Sequence, residues 1–272
     1  MRAQQFSKPI KMNSSIVSIV AEIQHRLTVS KGRYLSLPPM TLTYIPCPLP
    51  PTLKDLYCDE ARNLTTLPDP LPPALTTLSC WGVPITRLPT LPPTLTNLHC
   101  GNTKITKLPP LPPALITLSC SHTPLASLPV SLPPSLTNLY CSHTKLTTLP
   151  PLPPKLEELC CNNTKIRTLD LRGTSIKYLQ CGGSALKEIV AFPPTLVKFD
   201  CMRSSITKVP PIPPTVYYLS IYDRSLLIQP DREIIDSKAA VAAYNDKWFE
   251  LYTRHGRALL ASLARLRLAA EN

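Results

Sequence analysis

The chain has 272 residues, 43% of them hydrophobic, and carries a formal net charge of +12 with a pI near 9.3. That length allows one or two domains with a buried core, and the sequence holds no run of about eighteen apolar residues with which a helix spans a membrane. Its 34 prolines against 7 glycines would indicate disorder in an aperiodic chain, but 32 of them fall between Leu35 and Tyr222 in a strict pattern, and periodicity overrides composition.

The first 34 residues carry six basic side chains and one acidic one. Ser15 is a candidate N-cap for a helix with Ile16, Ile19, Val20, Ile23 and Leu27 on one face. β-Branching works against it, because Val and Ile also favour strand. The rival is a secretory signal, yet the apolar run from Ile16 to Ala21 is short, lies behind Lys8 and Lys11 and is followed by Glu22. Segment 1–34 is read as a helical cap.

Beyond it a unit repeats. Cys58, Cys80, Cys100, Cys120, Cys141, Cys161, Cys181 and Cys201 are spaced by 22, 20, 20, 21, 20, 20 and 20 residues, and Leu37 and Ile221 occupy the same slot at either end. A slot that accepts Cys, Leu or Ile selects a small buried hydrophobe. The unit is L-x-x-L-x-C-x-x-T-x-I/L-x-x-L-P-x-L-P-P, seen at Leu95, Leu98, Cys100, Thr103, Ile105, Leu108, Leu111, Pro112 and Pro113. Leu98-His99-Cys100 alternates with period two, so it reads as a short strand with Leu98 and Cys100 on one face. One strand per unit buries nothing alone, so equivalent strands must stack as a parallel sheet about 4.8 Å apart.

Stacking also argues against disulfides. Equivalent cysteines on adjacent turns point the same way one strand spacing apart, whereas a disulfide needs Cβ atoms about 3.8 Å apart with converging vectors. Tetrahedral zinc needs convergence too. The expectation is a ladder of reduced thiols with no metal and no cofactor. Proline has no N–H for a ladder, so Leu-Pro-Pro belongs on an extended return path. Thr103, Thr123, Thr144 and Thr164, continued by Ser184 and Ser204, fall at the corner after the strand, where their hydroxyls are expected to satisfy turn amides. Arg172, Gly173 and Thr174 replace Leu-Pro-Pro in one turn, which predicts a softer wall there. The two longer spacings are absorbed on the return side, at Asp69-Pro70 and Val130-Ser131, and spare the strand register.

These residues resemble a known family. L-x-x-L-x-C-x-x-T-x-I followed by LPxLPP, over about residues 35 to 222, looks like the short LPX type of leucine-rich repeat found in bacterial effectors of the YopM and IpaH type, with Cys/Thr-rich versions in large DNA viruses. The resemblance implies an α/β-type solenoid with one short parallel strand per turn of about 20 residues, a Pro-rich convex side and helical caps. It also implies a pathogen or viral factor, a virulence effector in the host cytoplasm. IpaH-like ligases add a helical domain with a catalytic Cys-x-Asp motif. None of the ten cysteines here is followed two residues later by Asp, and the fifty residues after Tyr222 hold no cysteine, so no enzyme activity is expected.

The last segment, 223–272, offers a helix from Ser237 or Asp236 to about Ala270, with Val241, Tyr244, Trp248, Leu251, Leu259, Leu263 and Leu266 in one stripe. It reads as a second cap. Arg254, Arg257, Arg265 and Arg267 also suit a peripheral contact with a partner or membrane. Charge is otherwise diffuse, although Lys104, Lys145 and Lys165 share a slot and form a broken line along one flank. A solvated flank is the plainer reading, and phosphate, nucleic-acid or membrane-surface binding the alternative.

A curved parallel sheet offers its inner face as a concave surface, and outward strand residues are not selected for the core. We expect a protein partner to be bound there by Tyr57, Trp81, His99, Tyr140, Glu158, Tyr178, Gln180, Asp200, Tyr218 and Tyr222, because exposed aromatics on a rigid sheet anchor interfaces. Tyr and Thr also simply suit strands. Cys160 faces outward beside Glu158 and Tyr140 and is expected to be the most accessible thiol, with no base placed to make it a nucleophile. The chain is thus read as a nonenzymatic scaffold or adaptor.

Overall fold

A computed structural model describes residues 14–206, 210, 212–221 and 233–235. Helix α1 (Ser14–Val29) precedes strands β1 (Tyr34–Ser36), β2 (Asp55–Tyr57), β3 (Thr77–Ser79), β4 (Asn97–His99), β5 (Thr117–Ser119), β6 (Asn138–Tyr140), β7 (Glu158–Cys160), β8 (Thr168–Leu169), β9 (Tyr178–Gln180), β10 (Glu188–Ile189), β11 (Lys198–Asp200), β12 (Tyr218–Ile221) and β13 (Glu233–Ile235). Among the described residues, eleven strands form one sheet in the order β1-β2-β3-β4-β5-β6-β7-β9-β11-β12-β13, and only β12–β13 is antiparallel. The fold is a solenoid, one turn of chain per parallel strand of the sheet.

The repeating template explains the register. Leu56, Leu78, Leu98, Leu118, Leu139, Leu159, Leu179, Phe199 and Leu219 stand at the centre of successive strands and are fully buried. Each contributes about 1.5–3 kcal/mol by leaving water, and a one-residue slip would turn that row outward. The two longer units do not disturb it: Leu56 pairs with Leu78 and Leu118 with Leu139, while Val130 on the return side is 91% exposed.

The eight ladder cysteines lie next to this row, each at most 2% exposed, and none forms a disulfide. Their N–H groups carry the ladder one residue past the strands, as in Cys58 to the Ser79 carbonyl at 2.7 Å and Cys120 to the Tyr140 carbonyl at 2.8 Å.

The corner threonines act differently from the sequence expectation. Their hydroxyls satisfy carbonyls, not amides. Thr103, Thr123, Thr144 and Thr164 donate to the carbonyls of Cys100, Cys120, Cys141 and Cys161 at 2.7–2.8 Å, and Ser184 does so to Cys181. The turn amides bond across turns instead, for example His122 N–H to the Ser142 carbonyl and Asn163 N–H to the Gly182 carbonyl, both at 2.8 Å. The residue before the corner is left-handed throughout: Asn102, His122, His143, Asn163 and Arg203 have φ between 52° and 58°. Asn and Gly tolerate that conformation best, which accounts for two asparagines, Gly82 and Gly183 in this slot.

A second departure lies on the return path. The turns after β7 and β9 each carry an extra two-residue strand, and β8 and β10 pair in parallel. Elsewhere the residue after the last template leucine is proline, as in Leu128-Pro129 or Leu149-Pro150. Here it is Asp170 or Val190, so an N–H is available, and Val190 donates to the Leu169 carbonyl at 2.9 Å. The wall expected to be soft at 172–174 contains a further corner, with Thr174 buried and bonded to the Leu171 carbonyl at 2.7 Å.

At the first turn, α1 covers the exposed end of the core. Ile23 is fully buried there, Ile19 and Leu27 pack on the core, and the Arg26 guanidinium reaches the Ser36 carbonyl at 3.0 Å. At the last, β13 lies antiparallel on the edge of the sheet, an element the sequence reading did not contain. The predicted helix beyond Asp236 falls outside the described residues.

Candidate functional site

Alternation along each strand leaves two columns of outward side chains, headed by Tyr34 and Ser36 on β1, with a third formed by the residue after each ladder cysteine. Of the residues singled out in the sequence, Trp81, Tyr178 and Gln180 are exposed, and Tyr57, His99, Tyr140, Glu158, Asp200 and Tyr218 are half-buried. Tyr222 lies outside the described residues. The serines at the same positions, Ser79, Ser119 and Ser220, are buried beneath their larger neighbours.

These residues form three groups. In the middle, the Tyr140 hydroxyl donates to Glu158 Oε2 at 2.7 Å, and Asn138 Nδ2 donates to the same oxygen at 3.1 Å. Burial first, then the bond and charge of Glu158, push the Tyr140 phenol up to about 12. Toward the start of the sheet, the Tyr34 and Tyr57 rings lie 5.4 Å apart. Asp59 accepts from the Ser79 hydroxyl at 2.7 Å and from the Trp81 N–H at 2.8 Å. Burial, followed by Asp55, Tyr34 and Asp59, raises the Tyr57 phenol, whereas burial lowers the His99 imidazole. Toward the end, Lys198 Nζ stands 5.8–5.9 Å from the rings of Tyr178, Tyr217 and Tyr218, within cation–π range. Tyr34 and Tyr217 were missed in the sequence; both occupy slots that the repeat register defines.

Along the edge of the sheet, His122 and His143 stack at 4.2 Å, Trp81 meets His122 edge-on at 6.3 Å, and Asn163 Nδ2 lies 3.2 Å from His143 Nε2. The Trp81 ring lies on Gly101, where a Cβ would come within 2.1 Å of it. Among the described residues, no three His, Cys, Asp or Glu side chains are grouped as metal ligands.

Cys160 corrects the sequence reading. It faces outward but is only 8% exposed, with its sulfur 3.4 Å from Gln180 Oε1 and 4.0 Å from Glu158 Oε1. Burial, with Glu158 adding to it, pushes its thiol up to about 12. Alternation gives a side chain's direction and not its depth, and here the neighbouring Tyr140, Glu158 and Gln180 cover it. The more accessible thiol is Cys47, half-buried on the return side at a cavity of about 340 Å³ lined by Tyr44, Leu49, Leu67 and prolines.

Taken together, the buried leucine row, the unbridged thiols and the one-strand turns define a leucine-rich-repeat fold. Residues 134–194 match the family described as Leucine Rich repeats (2 copies). The fold is similar to that of YopM from Yersinia enterocolitica WA-314, with 31% identity and a TM-score of 0.64 over 69% of this chain and 41% of that one. It is also similar to YopM from Yersinia pestis, described as a leucine-rich effector protein, with 24% identity and a TM-score of 0.65 over 81% and 70%. InlJ from Listeria monocytogenes, whose functional domain includes a cysteine ladder, matches with 28% identity and a TM-score of 0.62 over 70% and 44%. No curated protein matches the sequence. Among the described residues, no helix is long and apolar enough to cross a membrane.

Proposed function

We propose that the chain is a nonenzymatic recognition protein, a scaffold or adaptor that binds a protein partner on the outward, concave face of its sheet. The observation that carries this is the set of tyrosines held on rigid neighbouring strands: Tyr178 and Tyr217 are 38% and 42% exposed, with Tyr218 beside them around Lys198. Large, stiff, amphipathic side chains lose little entropy when a partner covers them, so they anchor interfaces. The likeness to YopM supports an effector-type role in a host cytoplasm. Photo-cross-linking from position 180, compared with the same probe in a Tyr140→Ala/Tyr178→Ala/Tyr218→Ala variant, tests the reading. Loss of the cross-linked partner in the variant is expected, and full retention would count against it.

A second reading is favoured by the exposed Lys104, Lys107, Lys145, Lys165 and Arg167 on the flank beyond the corner. Such a ridge suits a phosphate-rich or anionic membrane surface. Affinity that falls steeply with salt and is lost in Lys104→Glu/Lys145→Glu/Lys165→Glu would establish it.

A further inference from the structure

We propose that the outward face of the sheet receives a cationic protein segment whose lysine or arginine side chains seat against Asp55, Asp59 and Glu158. This rests on the partner-binding reading above and specifies the partner's chemistry.

Charge is the first argument. The chain as a whole carries +12, yet the outward strand positions and the residues following the ladder cysteines hold Asp55, Asp59, Glu158 and Asp200 against one lysine, Lys198. These columns are acidic on a basic molecule, the next slot, that of Tyr217, holding Arg33, Lys54 and Lys177 with Glu157, and within a Debye length of about 8 Å the local charges govern docking. The second argument is what those carboxylates touch. Glu158 and Asp59 accept from neutral donors. The ion pairs Arg26–Glu22, Arg172–Asp170 and Lys177–Glu157 do not involve this face's acids.

Third, the face already holds one cation. Lys198 lies among three tyrosine rings, while the Tyr34–Tyr57 pair beside Asp55 offers the same kind of aromatic setting to a cation from outside. Five strand spacings separate β2 from β7, about 24 Å, which an extended segment of roughly seven residues crosses.

The test is anisotropy of labelled peptides long enough to cross β2 to β7, bound to the full chain. One peptide is rich in arginine and lysine, one has glutamate at those positions, and one is neutral. Tight binding of the cationic peptide alone, weakened about tenfold in Asp55→Asn/Asp59→Asn/Glu158→Gln and not weakened in Lys104→Glu/Lys145→Glu/Lys165→Glu, is the expected result. Asp55→Asn and Glu158→Gln singly, checked by circular dichroism, guard against misfolding of the triple variant. A cationic peptide that binds no better than the glutamate one, or that is indifferent to the Asn and Gln changes, overturns the inference. If the peptides fail while the tyrosine variant still loses its cross-linked partner, the face remains the docking surface and only the cationic assignment falls.

Discussion

A cysteine's depth decides its chemistry here. Burial alone pushes the Cys47 thiol up, while Cys160 is pushed up to about 12 by burial and by Glu158, and desolvation pushes the ladder thiols of Cys80, Cys120, Cys141 and Cys181 well above their ordinary value. Since only the thiolate alkylates, iodoacetamide on the native protein at pH 8 is expected to modify Cys47 first, Cys160 far more slowly and the ladder only after denaturation. Mass mapping checks the order, and equal labelling of Cys120 and Cys47 would contradict the buried row. A neighbouring residue controls Trp81. Because a Cβ on Gly101 would meet Trp81 Cζ3 at 2.1 Å and the Ser121 carbonyl oxygen at 2.8 Å, Gly101→Ala must displace the indole. In a Trp248→Phe background, where Trp81 is the sole tryptophan, its emission should move to longer wavelength. An unchanged spectrum would mean that the ring does not rest on Gly101.

Among the elements, the strands were legible in the sequence and the return path only partly so. Cysteine spacing and the Leu-x-Cys alternation predicted each strand of the parallel stack, because a repeated unit leaves one register that buries every leucine. The β8–β10 pair was not predicted. Asp170 and Val190 were visible as departures from proline, but the bridge requires adjacent turns to regain an N–H together, and a single repeat read alone does not show that. Nor was β13 legible, since an antiparallel edge strand obeys no repeat. Val190→Pro tests the bridge: removing the donor to the Leu169 carbonyl at 2.9 Å should cost about 1 kcal/mol in urea unfolding. Proline is tolerated at this slot in other turns, so the backbone shape itself is compatible.

Across the molecule, each strand of the stack pairs only with its immediate neighbours, so stability is the sum of many like interfaces and not the property of one central core. The candidate site inherits that arrangement. Its tyrosine columns were legible from register, whereas the hydrogen bonds that tie Tyr140 and Asn138 to Glu158 and the seating of Lys198 among three rings depend on side-chain rotamers that a repeat pattern does not specify. A linear array makes a distinct prediction about failure. Leu118 sits fully buried in β5 between Leu98 and Leu139, and Leu118→Ala should cost about 2–5 kcal/mol. The loss should spread as local opening of the neighbouring turns before the rest of the stack yields. Hydrogen-exchange mass spectrometry would then show faster exchange in the peptides of β4, β5 and β6, with β1 and β11 nearly unchanged. A uniform rise from β1 to β11 would instead show that the turns unfold as one cooperative unit.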